Sequence, residues 1–152
     1  MNELFLERMR EMLKGEYPTY LEKLNDSARK GIRINTLKIT PADFFACTNY
    51  ELEKSPFAKN GYYANIKSGV GFTPEHMSGF FYIQEPSASS AVTILEPKPG
   101  MKVLDMCAAP GSKSTQISEL LHQCGLLVAN EIHPTRARVL LENHIEKFRK
   151  CL

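Results

Sequence analysis

One stretch constrains this chain more than any other. The short apolar run Met101 to Asp105 ends on an acid and opens directly into Met106-Cys107-Ala108-Ala109-Pro110-Gly111-Ser112-Lys113. A strand, a turn of small residues and then a helical segment over Lys113 to Cys124 make the first half of a βαβ unit. The pattern then repeats, with Gly125 to Glu131 as a second strand entered through glycine and Pro134 to Phe148 as a second helix. Strands alternating with helices predict a parallel, doubly wound sheet whose ligands lie outside the carboxyl ends of the strands. Two strands are fewer than such a sheet needs, so self-association through its open edge is an expectation.

Upstream, Glu96-Pro97-Lys98-Pro99-Gly100 breaks the chain hard. The expected division is an α+β domain over 1–96 and an α/β portion over 97–152. Phe5, Met9, Met12 and Leu13 recur at helical spacing within 3–13, and Tyr17, Tyr20, Leu21 and Leu24 support a second helix over 18–24. Gly31-Ile32-Arg33-Ile34-Asn35-Thr36-Leu37 alternates apolar and polar residues and reads as a strand. Thr40 followed by Pro41 and Asp43 is a helix start. Gly61 to Ile66 reads as a strand, Ser68 to Gly71 as a loop, and Pro86 to Leu95 as helical.

Composition bounds the function. A chain of 152 residues with 43% hydrophobic and 24% charged residues can bury a core. No run of eighteen apolar residues is present, and the N-terminus has no apolar leader segment, so a cytoplasmic protein is expected. Cys47, Cys107, Cys124 and Cys151 are scattered, which supports neither zinc nor disulfides. His76, His122, His133 and His144 show no ligand spacing, so no metal is expected. A net charge of +2 permits an RNA partner without demanding one.

The loop after the first strand carries the chemistry. Ala108, Ala109 and Gly111 are small enough for a flat ligand to approach the backbone, and Pro110 stiffens its path. The helix N-terminal amides at Ser112 to Thr115 suit a carboxylate. An amino group on the same ligand would meet Asp105 or loop carbonyls. Glu131, ending the second strand, is placed to hold two ribose hydroxyls. A Walker loop fails, because Asp105-Met106 stand where its first glycine belongs and Gly111-Ser112-Lys113 replaces Gly-Lys-Ser. A nicotinamide fingerprint fails too, because only Gly111 of its glycines is present.

These residues resemble a known family. Val103-Leu104-Asp105-Met106-Cys107-Ala108-Ala109-Pro110-Gly111-Ser112-Lys113-Ser114-Thr115 is similar to the cofactor motif of the RNA cytosine-C5 methyltransferases, the Nol1/Nop2/Sun family. Arg33-Ile34-Asn35-Thr36-Leu37-Lys38 resembles that family's N-terminal strand, and Tyr82-Ile83-Gln84-Glu85-Pro86-Ser87-Ala88 the segment leading into its methyltransferase domain. Asn130-Glu131-Ile132 with Arg136 and Asn143 resembles its second motif, and the wording of Tyr82 to Ala88 and of Asn130 to Ile132 looks nearest to bacterial 16S rRNA enzymes of the RsmF kind. Ser112 stands where a second glycine is commoner, and Arg149 near where a glycine usually follows the helix.

The resemblance implies a Rossmann-like domain that takes S-adenosylmethionine. It implies cofactor contacts from Cys107, Ala108, Ala109, Pro110, Gly111, Ser112, Lys113, Glu131 and Arg136. It also implies a cysteine thiolate that attacks C6 of cytosine in RNA so that C5 accepts the methyl group. The family's catalytic cysteines lie downstream of the cofactor loop, so the chain is expected to be an N-terminal portion, inactive alone, with no catalytic residue assigned. Cys107 is read instead as a small buried residue of the loop. Lys113 reads equally as an active-site neighbour or a solvated first-turn residue. Arg33 and Lys38 are read as the wet face of their strand, with RNA phosphate contact as the alternative. Lys147, Arg149 and Lys150 complement a helix C-terminus. Ribosomal RNA is the expected partner, tRNA the alternative within the enzyme class, and a non-catalytic RNA-binding or assembly module the alternative outside it.

Overall fold

A computed structural model describes residues 2–66 and 69–144. The chain opens with α1 (Glu3–Leu13), capped by the Asn2 side chain accepting from the Phe5 amide, and α2 (Tyr17–Leu24), with Pro18 in its first turn. Next come β1 (Gly31–Ile34), α3 (Pro41–Cys47), β2 (Leu52–Lys54) and β3 (Gly61–Ala64). The Thr40 hydroxyl accepts from the Asp43 amide at 3.2 Å, the cap that the sequence announces. A single helical turn at Val70–Phe72, α4 (Pro74–Met77) and β4 (Phe81–Ile83) complete the first sheet, whose antiparallel order is β2-β3-β1-β4.

The centre of that sheet is covered on both faces. Ile32 and Ile34 point to a core with Phe44 from α3, Ala64, Ile66 and Phe81, where Phe44 and Phe81 meet edge to face at 5.7 Å. Gly31 lies under the next segment, and a Cβ there would stand 2.6 Å from Pro86 Cγ. The expected alternation of wet and dry residues fails, because all four residues of β1 are buried. The expected strand also stops early. Asn35 Oδ1 accepts from the Leu37 amide and the Asn35 carbonyl from the Lys38 amide, which turns the chain at Thr36.

A helical turn at Pro86–Ser89 and α5 (Ser90–Leu95) lead into the second unit. The Glu85 carboxylate caps this start by accepting from the Ser87 and Ala88 amides. The unit comprises β5 (Lys102–Asp105), α6 (Ser112–Leu120), β6 (Leu126–Ala129) and α7 (Pro134–Glu142). β5 and β6 are parallel, with Asp105 opposite Ala129. The helix expected to reach Cys124 ends at Leu120, where His122 and Gln123 turn the backbone at positive φ. Val92 of α5 and Ile117 and Leu121 pack on the Val103 and Leu127 side of this sheet. The opposite side is open: Leu104 is 60% exposed and Val128 48%. No described helix is long and apolar enough to cross a membrane. The loop at Ser68, the continuation of the last helix to Phe148, and Lys147, Arg149, Lys150 and Cys151 lie outside the described residues.

Candidate functional site

The turn from β5 into α6 is stitched from every side. Asp105 holds both its ends, with Oδ1 accepting from the Cys107 amide at 3.2 Å and Oδ2 from Ser114 Oγ at 2.5 Å. Asn130, just past β6, receives the Ala108 amide on its carbonyl and donates Nδ2 to the Met106 carbonyl at 3.1 Å. From α7, Arg136 Nη2 donates to the Ala109 carbonyl and Asn143 Nδ2 to the Pro110 carbonyl, each at 2.7 Å. The Gly111 carbonyl accepts from both the amide and the hydroxyl of Thr115, at 2.8 and 2.7 Å. All but the Ser114–Asp105 contact satisfy a backbone group that a loop without ladder partners would otherwise leave to water. The result is a turn with its carbonyls directed into the protein and the first amides of α6 left without helical partners.

The residues singled out in the sequence come together here in two sets. Ala108, Ala109 and Gly111 are buried, the alanines packing on Leu140 of α7. Cys107, Pro110 and Lys113 are exposed at the mouth, with Ser112 half-buried between them. Cys107 therefore departs from its expected burial: the two alanines that follow it turn inward, and its thiol stays outside. Thr115 also departs from expectation, since its amide is already given to Gly111 and cannot meet a ligand.

Glu131 and Arg136 form a pair, with Arg136 Nη1 3.4 Å from Glu131 Oε2. Glu131 Oε1 also accepts from the His133 amide at 2.9 Å, and its side chain is 5% exposed. The carboxylate faces a cavity of about 540 Å³ lined by Ser118, Ala129, Ala137, Leu140 and His144 among others. Arg136 thus bridges loop and acid, touching Ala109 with one nitrogen and Glu131 with the other. Asn130, Asn143 and Ser114 are the functional residues that sequence reasoning missed as loop supports. Asn143 did carry a signal, lying one helical turn from Leu140.

His144 borders the same cavity with its Nε2 buried and without a hydrogen bond. Burial holds its pKa below the usual imidazole value, opposed by Asp105 and assisted by the Arg33 charge. Below about pH 6.5 an unfolded chain takes up a proton that the folded one resists, so stability falls as pH falls through this range. Thermal melts are expected to show that acid-side loss, and His144→Asn to reduce it. An unchanged profile in the variant would assign the loss to other groups.

Arg33 and Lys38 do not form a wet face. Arg33 is 2% exposed and faces α6, with Glu119 Oε2 3.4 Å from its Nε. The Lys38 ammonium donates to the Ser78 carbonyl at 3.0 Å. An alternating strand predicts one solvated face only where a single face is covered, and β1 is covered twice.

A parallel β-α-β-α unit with a glycine turn into its first helix and an acid two residues past its second strand is the opening of a Rossmann-like domain. Residues 1–86 match the family described as the N-terminal domain of 16S rRNA methyltransferase RsmF, and residues 92–148 match 16S rRNA methyltransferase RsmB/F. The chain belongs to this family of 16S rRNA methyltransferases. It is 42% identical over 125 residues to ribosomal RNA small subunit methyltransferase F of Shewanella loihica, an alignment covering 76% of this chain and 26% of that protein. The chain thus spans about a quarter of that relative's length. A methyltransferase homolog from Pyrococcus horikoshii superposes over 95% of this chain and 48% of its own, with a TM-score of 0.83 and 29% identity. NSun6 from Pyrococcus horikoshii, solved with SFG, has a TM-score of 0.81 over 94% of this chain and 62% of its own; at 17% identity it speaks for the fold alone.

Proposed function

We propose that the Asp105–Lys113 turn binds S-adenosylmethionine, and that the protein methylates cytosine C5 in 16S rRNA. The observation that carries the reading is the stitched turn itself, fixed by Asp105, Asn130, Arg136, Asn143 and Thr115, ahead of the first α6 amides, which have no helical partners. Those amides suit the ligand's carboxylate and Asp105 its ammonium. Glu131 takes the ribose hydroxyls, sharing its oxygens with Arg136 and the His133 amide. Cys107, Pro110 and Lys113 border the mouth, and Ala108, Ala109 and Gly111 keep the floor free of bulk. The bound donor supplies an electrophilic methyl group. The residues of this chain orient that donor, and none of them is assigned as the cytosine-attacking thiolate.

Titration of S-adenosylmethionine into the chain is expected to give saturable binding that Glu131→Ala weakens at least about tenfold, through loss of its charge-assisted hydrogen bonds to the ribose hydroxyls. Absence of saturable binding at millimolar ligand would remove the donor-site reading. Transfer of tritiated methyl groups to RNA by the 152 residues alone would overturn the placement of the nucleophile.

A further inference from the structure

We propose that Arg33 of the accessory sheet is a positioning residue of the methyl-donor turn, an inference that rests on reading Asp105–Lys113 as the donor site. The guanidinium reaches the turn by two routes. Nη1 donates to the Ser112 carbonyl at 2.8 Å, and Nη2 donates to Thr115 Oγ1 at 2.8 Å. That hydroxyl in turn donates to the Gly111 carbonyl at 2.7 Å, so Arg33 stands one hydroxyl away from the glycine that turns the backbone at φ +117°.

The guanidinium is itself fixed. Gln84 Oε1 accepts from Nη1 at 2.8 Å, Glu119 balances the charge, and the Tyr82 ring lies 5.8 Å from the guanidinium carbon. A planar fork can serve several acceptors in set directions, which a lysine ammonium on a flexible stem cannot. Strand β1 is held in turn by β3 and β4 on either side. The α+β unit is thereby part of the cofactor site: its central strand sets where the turn sits, without touching the ligand.

The test uses the whole chain and an assigned amide spectrum. Thr115→Val keeps the shape and removes the relay, whereas Thr115→Ser keeps the hydroxyl. Arg33→Met removes both routes. Ile34→Val is the control, trimming the neighbouring core without touching the turn. Thr115→Val and Arg33→Met are expected to shift the Gly111 and Ser112 amide resonances and to speed about tenfold the hydrogen exchange of the amide at position 115, which donates to the Gly111 carbonyl. Thr115→Ser and Ile34→Val are expected to leave them in place. The proposal falls if Thr115→Val leaves Gly111 unmoved, or if Ile34→Val moves it as far. Arg33→Met is also expected to weaken S-adenosylmethionine binding about tenfold. Undiminished binding with a displaced turn would overturn the positioning role. No binding by the wild-type chain would remove the donor-site reading, and with it the role named here, while the Gly111 readout still reports whether Arg33 sets the turn.

Discussion

Glu119→Ala is expected to lower the unfolding free energy by about 3–5 kcal/mol, the usual cost of removing one partner from a buried ion pair. Arg33 lies 2% exposed, and burial pushes its pKa down to about 10, so the side chain is still charged at neutral pH. Glu119 is the carboxylate that balances it, with Oε2 3.4 Å from the Arg33 Nε. Its other oxygen accepts from Thr36 Oγ1 at 2.5 Å, Asn60 Nδ2 at 3.2 Å and the Thr36 amide at 3.4 Å, so truncation removes the acceptor of three more donors. Against a total stability of about 5–15 kcal/mol for a domain, such a loss leaves the chain marginal. Glu119→Gln keeps an acceptor for Thr36 and Asn60 but loses the charge and turns an amide donor toward Arg33, so its effect should be smaller than that of Glu119→Ala yet still measurable. Urea unfolding of the two variants measures the difference. A cost for Glu119→Ala below about 1 kcal/mol would put this pair on the level of the exposed Arg29–Glu53 pair, where removing a partner costs little.

The same pair marks the boundary of what the sequence discloses. Thr40 and Pro41 announce a helix start because capping is local chemistry between residues three apart. The β-α-β-α order is likewise written in neighbouring residues, and so is the Asp105–Lys113 turn with its small side chains. The burial of Arg33 is not local. Its acceptor Thr115 lies 82 positions along the chain, and only the covering of β1 by α6 turns an apparently solvated arginine into an internal one. A signal did exist, since an arginine between two isoleucines in a central strand requires a partner, but not which acid supplies it. Asn130 and Asn143 were obscured for a related reason. Their value lies in meeting carbonyls of the turn, and carbonyl direction cannot be read from side-chain pattern. Cys107 shows the limit within the turn itself: residue type favours burial, yet the backbone directs Ala108 and Ala109 inward and leaves the thiol outside.

Gly111→Val is expected to abolish donor binding within the measurable range while costing about 1–3 kcal/mol of stability. Gly111 adopts φ +117°, a conformation that L side chains rarely take, so any Cβ there strains the backbone. Space adds a second constraint. A Cβ would stand 3.3 Å from Leu140 Cδ1 and 3.5 Å from Asn143 Cβ, and a branched Cβ extends further into the same gap. Leu140 can yield at its flexible end, but Asn143 holds the Pro110 carbonyl, so moving α7 away releases the turn it supports. The backbone cost and the ligand cost therefore separate. Gly111→Ala bears the first with less of the second, and should retain measurable though weakened binding. Calorimetric titration of both variants, alongside their melting temperatures, distinguishes the two terms. Equal binding by Gly111→Val and wild type would show that donor affinity is independent of the path of this turn.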